Sequence, residues 1–197
     1  MLLAAAAEGD AERVAELLAQ GHPADAARAD GATPLLLGAL SGHIAVVAAL
    51  IAASASLDVT KDTGATALFA AAASDSPDGI ACVHALLDAG AAVDLANAHG
   101  VTPLQTAAHK GHARACEALL RAGAEAGKAD AAGNTPLHKA ARSDAFEALD
   151  AILSTVRAIE AEASDPNGVF QNTPASLLCE CKCLSKHRTV SSFRRVR

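Results

Sequence analysis

The chain has 197 residues, a formal net charge of −6 and an apolar fraction of 51%, so it has enough apolar surface for a core. With four Phe and neither Trp nor Tyr, it lacks platforms on which nucleic-acid bases stack, and its acidity disfavours binding to phosphates. No apolar run approaches the roughly 18 residues that a membrane-spanning helix needs.

The chain repeats itself. A motif of Gly, a variable residue, Thr, Pro or Ala, and Leu recurs with spacings of 33, 36 and 33 residues. A pair of aliphatic residues recurs in step, with spacings of 33, 36, 33 and 33 residues. The longer spacing reflects three extra residues near 75–77. The glycine motif lies at 31–35, 64–68, 100–104 and 133–137, and the aliphatic pair at 17–18, 50–51, 86–87, 119–120 and 152–153.

The unit that begins at Gly100 shows what each repeat encodes. Thr102 is a good N-cap, and a proline fits the first helical position because its missing N–H is not needed there. We predict a first helix over Pro103–Lys110, a break at Gly111-His112 and a second helix over Ala113–Arg121. A glycine at 123 suits the C-cap. Each repeat is therefore predicted to be a turn, two helices and an extended loop.

The predicted organisation is one repeat domain, 1–163, followed by a tail. Its repeats are 2–30, 31–63, 64–99, 100–132 and 133–163, and the first is incomplete. Of 52 alanines in the chain, one lies in 164–197, where six basic and two acidic residues give a net charge of +4. The tail holds a degenerate repeat remnant at 171–175 and a basic, cysteine-containing end.

These motifs resemble the ankyrin repeat. Residues 135–141, TPLHKAA, fit the family signature T-P-L-H-x-A, and Gly42-His43 and Gly111-His112 fit its glycine–histidine turn. The resemblance implies an all-α helix-turn-helix solenoid with projecting loops. It also implies protein–protein recognition without catalysis, metal or cofactor.

Several residues depart from the family pattern. Leu36, Phe69 and Gln105 stand where the family prefers His, so we expect the Thr–His hydrogen bonds that link repeats to be mostly missing. Ala67 replaces the proline of the third repeat and predicts a weaker helix start. The loop around Asp75 is expected to be the least regular part of the stack.

The resemblance also implies a partner-binding surface, formed by loop tips and the concave face of the first helices. Its N-terminal half is apolar and acidic, and its C-terminal half is basic, so it could orient an extended partner. An ordinary solvated face is the alternative. The predicted contact residues are Asp30, Ala32, Leu40, Ser41, Asp62, Thr63, Ala65, Ser74, His99, Val101, His109, Lys110, Asn134, Lys139, Arg142 and Ser143.

No motif points to an enzyme. The chain has no Gly-rich phosphate loop, no H-E-x-x-H and no G-x-S-x-G. His109, His112 and His138 could serve as metal ligands. However, His112 occupies the family's turn position and His138 its signature position, so we predict no metal. Cys82 and Cys116 lie at apolar helix positions and are expected in the core.

The tail carries Cys179, Cys181 and Cys183, with His187 beyond. This spacing is tight for zinc, and cysteines beside basic residues also suit S-palmitoylation. An unmodified tail is the third possibility. An odd cysteine count favours a reducing compartment, the cytoplasm or nucleus. Two alternatives to a simple binding module follow: a membrane-targeted adaptor with a lipidated tail, and a fragment of a larger protein, such as a ubiquitin-ligase adaptor or a kinase.

Overall fold

The computed structural model describes residues 1–74 and 76–163. Within them the chain forms ten α-helices and no strand. Helices alternate between a short first helix and a second helix, giving five consecutive pairs. They are α1 (Leu2–Glu8), α2 (Ala11–Ala19), α3 (Pro34–Ser41), α4 (Ile44–Ala52), α5 (Ala67–Ala73), α6 (Gly79–Asp88), α7 (Pro103–Lys110), α8 (Ala113–Arg121), α9 (Pro136–Arg142) and α10 (Phe146–Ala163).

Residues 1–155 form one compact unit, in which the helices make two layers. The first helices pack in chain order, α1 on α3, α3 on α5, α5 on α7 and α7 on α9. The second helices α2, α4, α6 and α8 pack in the same order. This is the predicted helix-turn-helix solenoid, and the two helices predicted from the fourth repeat have the expected bounds. Of the second unit, which starts at Val156, the structure describes only the end of α10.

A threonine begins each first helix from α3 to α9. Thr33, Thr66, Thr102 and Thr135 each accept a hydrogen bond from the backbone N–H three residues later. This satisfies a donor that the helix itself leaves unpaired. Thr66 keeps the cap although Ala67 stands where the other three helices have proline, so α5 begins at the equivalent position.

The residues that mark the repeat in the sequence are the core. The leucines of the glycine motif and the first members of the aliphatic pairs are at most 1% exposed. Each such side chain stabilises the fold by about 1.5–3 kcal/mol on burial. Alanines fill the space between them: Ala39, Ala72 and Ala108 are fully buried, which allows first helices to approach closely. The fully buried large side chains include Leu17, Leu35, Leu50, Leu68, Leu86, Leu104, Leu119, Leu137 and Ile152.

Helix α10 differs from the other second helices in length. It has 18 residues, against 9 for α8. The second helices α2, α6 and α8 are each followed within two residues by a glycine, at 21, 90 and 123, with positive φ. No glycine occurs between Ile152 and Ala163. Helix α4 turns at the same point through Ser54, which also has positive φ, whereas no residue of 146–163 does, so α10 continues past the point at which the other repeats turn.

Candidate partner-binding face

Neighbouring loop tips are joined by backbone hydrogen bonds. The Asp62 N–H donates to the Asp30 carbonyl at 2.9 Å, and the Ala98 N–H donates to the Thr63 carbonyl at 2.9 Å. The Ala131 N–H donates to the His99 carbonyl at 3.1 Å. These bonds place successive tips in one row, at a fixed register, beside the first helices. We call the tips together with α3, α5, α7 and α9 the loop–helix face.

Most of the predicted contact residues are accessible on this face. Leu40 is 47% exposed. The others divide into exposed and half-buried positions. Ser41, Asp62, Thr63, His99, His109, Lys110 and Arg142 are exposed, and Asp30, Val101, Asn134, Lys139 and Ser143 are half-buried.

Three predicted contact residues are buried, and the prediction is corrected there. Ala32 is 2% exposed, Ala65 6% and Ser74 7%. Ala32 packs in an apolar cluster with Leu36 and Ala70, so its methyl group belongs to the joint between repeats. The Ser74 hydroxyl accepts a hydrogen bond from the Ser76 N–H at 3.3 Å and stays with the turn after α5. None of the three side chains is available to a partner.

A groove of about 230 Å³ lies between α7 and α9. Four of the predicted contact residues line it, which brings together side chains from two repeats. Cationic, imidazole, amide and hydroxyl groups line it together with one valine. The lining residues are Val101, Gln105, Thr106, His109, Lys139 and Arg142.

Lys139 in this groove is held by Asp130, with Nζ 2.6 Å from a carboxylate oxygen. Asp130 also accepts the Asn134 N–H at 2.8 Å and the Ala132 N–H at 2.9 Å. The hydrogen bond from Lys139, followed by that from the Asn134 backbone, lowers the pKa of Asp130 well below its usual range. Arg142, by contrast, has no partner among the described residues. The groove therefore presents one anchored cation and one available guanidinium.

Gln105 forms an inter-repeat link that the sequence analysis missed. Its Oε1 accepts from the Thr102 N–H at 3.0 Å, and its Nε2 donates to the carbonyls of Lys128 at 2.7 Å and Asn134 at 2.9 Å. In the caps of α3, α5, α7 and α9 the Thr–His pair is found at Thr135–His138, and in α7 the amide of Gln105 takes the place of the histidine. The Thr–Pro–Leu–Gln spacing, which is that of a capping box, was the available signal.

Four histidines, His43, His109, His112 and His138, each contact a different residue. His138 pairs with Thr135 at 2.8 Å in the equivalent cap, while His109 bonds the Ser143 hydroxyl. His112 Nδ1 lies 3.0 Å from the Ala72 carbonyl and His43 Nε2 lies 3.2 Å from that of Ala7, so both turn histidines tie a repeat to an earlier one. Within 1–74 and 76–163, no three histidine, cysteine or carboxylate residues are grouped to hold a metal ion.

A row of aspartates also escaped prediction. Asp25 accepts the Ser56 N–H at 2.9 Å, and Asp58 accepts the Ala92 N–H at 3.0 Å. Asp94 accepts the Glu125 N–H at 3.0 Å. The three aspartates share the 33- and 36-residue spacings of the repeat, which was the signal that could have revealed them. They fix the loops that follow α4, α6 and α8 against the preceding repeat, and thereby the register of the first four repeats.

The two core cysteines behave as predicted. Cys82 and Cys116 are free and fully buried. Burial raises the pKa of the Cys82 thiol to about 11 and that of Cys116 to about 12. Both are inert apolar side chains at neutral pH.

Together, the paired helices and the hydrogen-bonded loop tips define a helical repeat stack over the described residues 1–74 and 76–163. A family model described as ankyrin repeats (three copies) matches residues 2–95 and 73–165. The chain belongs to the ankyrin repeat family. Ankyrin repeats are generally protein–protein interaction modules, and the family is typically non-enzymatic. No curated protein matches the chain with significance.

The remaining predictions concern membrane contact and the tail. In the part of the chain that the structure describes, no helix is both long and apolar enough to cross a bilayer. The tail from 164 to 197, with Cys179, Cys181 and Cys183, lies outside the described residues, as does Asp75. Zinc binding and lipidation of the tail therefore stay predictions.

Proposed function

We propose that this chain is a non-catalytic recognition module that binds another protein through the loop–helix face. The observation that supports the proposal is that residues at equivalent helix positions form two rows along the loop–helix face. The seventh residues of α3, α5, α7 and α9 are Leu40, Ala73, His109 and Arg142, and their fourth residues include Leu37 and Lys139. Both rows change from apolar to basic from α3 to α9, while the packing leucines lie on the opposite side of the same helices.

The Ser143–His109 contact does not favour catalysis. The Ser143 hydroxyl also lies 3.1 Å from the Lys139 carbonyl, an ordinary contact for a serine at the end of a helix. No carboxylate among the described residues bonds this imidazole to orient it as a general base requires. The contact between Ser143 and His109 therefore stabilises the C-terminal end of α9 and does not activate a nucleophile.

The proposal is tested by site-specific photo-crosslinking in cells. We would place a benzophenone amino acid at Leu40 in α3, and at Ala48, an exposed residue of the adjoining helix α4, as the matched control. We expect protein adducts at position 40 and few at position 48. Equal adduct formation at both positions, or adducts at 48 alone, would contradict binding by the loop–helix face.

The cytoplasm or nucleus is the proposed location, since ankyrin repeat proteins are commonly intracellular.

A further inference from the structure

We infer that the groove between α7 and α9 binds a carboxylate-bearing segment of the partner, with the aliphatic side chains of that segment directed toward α3. This inference rests on the proposed function and names the chemistry of the partner. It begins from the charges of the four first helices on the loop–helix face. Between them, α3, α5, α7 and α9 carry Lys110, Lys139 and Arg142 and no acidic residue.

The basic residues are not explained by helix formation. Cations near a helix C-terminus offset the helix dipole, and these three lie in last turns. However, α3 and α5 have no basic residue in their last turns, and both form in the same stack. The packing of first helices therefore does not depend on such cations, and their concentration on α7 and α9 calls for another role.

The groove favours a single carboxylate over a polyanion. The charge of Lys139 is compensated by Asp130 at 2.6 Å, so the lysine adds little net field. Arg142 has no partner in the described part of the chain, and its planar guanidinium suits a bidentate bond to a carboxylate. A phosphate group or a nucleic acid normally needs several uncompensated cations. An Asp or Glu side chain matches the charge that remains.

The apolar end of the loop–helix face determines in which direction the partner segment lies. Leu40 is 47% exposed on α3, Leu37 of α3 and Phe69 of α5 are half-buried, and α3 and α5 contain no charged residue. Helices α3, α5, α7 and α9 are neighbours in that order, so the apolar and basic ends belong to one continuous surface. An extended segment with carboxylates at one end and aliphatic side chains at the other is complementary to both ends.

A display experiment tests the inference on the full chain. A library of random dodecapeptides would be selected on the immobilised wild-type protein, on Arg142→Glu and on Arg114→Glu. Arg114 is exposed on the second helix α8 and gives a matched charge reversal away from the face. We expect enriched peptides with Asp or Glu toward one end and aliphatic residues toward the other, lost on Arg142→Glu and retained on Arg114→Glu.

Fluorescence anisotropy would then compare an enriched peptide with its amide analogue, in which Asn and Gln replace the acids. We expect binding to weaken about tenfold in the analogue, and about tenfold in Arg142→Glu, with little change in Arg114→Glu. An amide analogue or an Arg142→Glu variant that binds equally well would overturn the inference. A phosphoserine analogue that binds tenfold tighter, or phosphatidylserine vesicles that bind through Arg142, would also overturn it.

The outcomes separate this inference from the proposed function. Enriched peptides without acids, whose binding is lost on Leu40→Lys, would leave the loop–helix face as the binding surface and refute the carboxylate. Enrichment that no substitution on the face affects would refute both. Absence of any enriched peptide would count against both as well.

Discussion

Replacing Gln105 by leucine removes one of the links between the fourth repeat and the fifth. Three hydrogen bonds are lost: from the Thr102 N–H to Oε1, and from Nε2 to the carbonyls of Lys128 and Asn134. Each contributes about 0.5–1.5 kcal/mol net, and the buried Thr102 N–H is left unpaired. Burial of the leucine side chain offsets part of this loss. We expect the free energy of unfolding to fall by about 2 kcal/mol.

Urea unfolding followed by circular dichroism measures the loss, since the chain has no Trp or Tyr for fluorescence. A loss of this size lowers the melting temperature by about 4–8 °C in a protein of this length. Hydrogen–deuterium exchange read by mass spectrometry gives the local result. We expect faster exchange in the loop 126–135, because its carbonyls lose the amide that holds them.

Two variants control the experiment. Phe69→Leu changes the equivalent position of α5, where no side-chain hydrogen bond exists, and we expect no faster exchange in the loop that follows α6. Gln105→His introduces the residue found at His138, which pairs with Thr135 in the same way, and we expect partial recovery. An unfolding free energy of Gln105→Leu within about 0.5 kcal/mol of wild type, with unchanged loop exchange, would refute the reasoning.

Three further predictions concern the cap, the thiols and the ion pair. Thr66→Ala removes the cap of a helix that lacks proline, and we expect unfolding to become easier by about 1 kcal/mol in urea. Cys82 and Cys116 should resist alkylation at pH 8.5, measured by mass spectrometry, because burial raises the pKa of the two thiols to about 11 and about 12. Because the folded pKa of Asp130 is lowered, stability is present above pH 4 and lost as the pH falls below it. In Lys139→Met we expect a weaker acid dependence of the melting temperature.

Each of these three predictions has an outcome that would contradict it. Thr66→Ala should destabilise more than Thr63→Ala, at the exposed tip of the preceding loop, and equal effects would show that the cap is dispensable. Rapid alkylation of Cys116 in the native protein would contradict its burial. An acid transition in Lys139→Met identical to that of wild type would show that the lysine is not the main partner of Asp130.

The repeat and its helices could be predicted because they depend on local chemistry. The Thr102 cap, the glycine that follows α7 and the leucine core each leave a signal within a few residues. The length of α10 could not be predicted in the same way, because α4 ends at Ala52 with a serine rather than a glycine in the left-handed position, so a missing glycine does not by itself tell where a second helix ends.

The predicted contact residues are accessible at the exposed ends of helices, and they are buried where a neighbouring repeat covers them. Ala32 and Ser74 occupy family contact positions, but burial between repeats removes their side chains from the surface. The roles of Gln105 and Asp94 depend on backbone groups about thirty residues later, which become visible once the repeats are stacked. Charge compensation of Lys139 by Asp130 likewise needs the folded loop, since the sequence shows both charges and not their distance.

The most direct test of the loop–helix face is a hydrogen–deuterium exchange footprint of the full chain with a selected acidic peptide. We expect slower exchange in α7, α9 and the loop tips around His99 and Asn134, with no change in α4, α6 and α8. Protection confined to the second helices, or to the chain beyond residue 163, would contradict the assignment of this face as the binding surface.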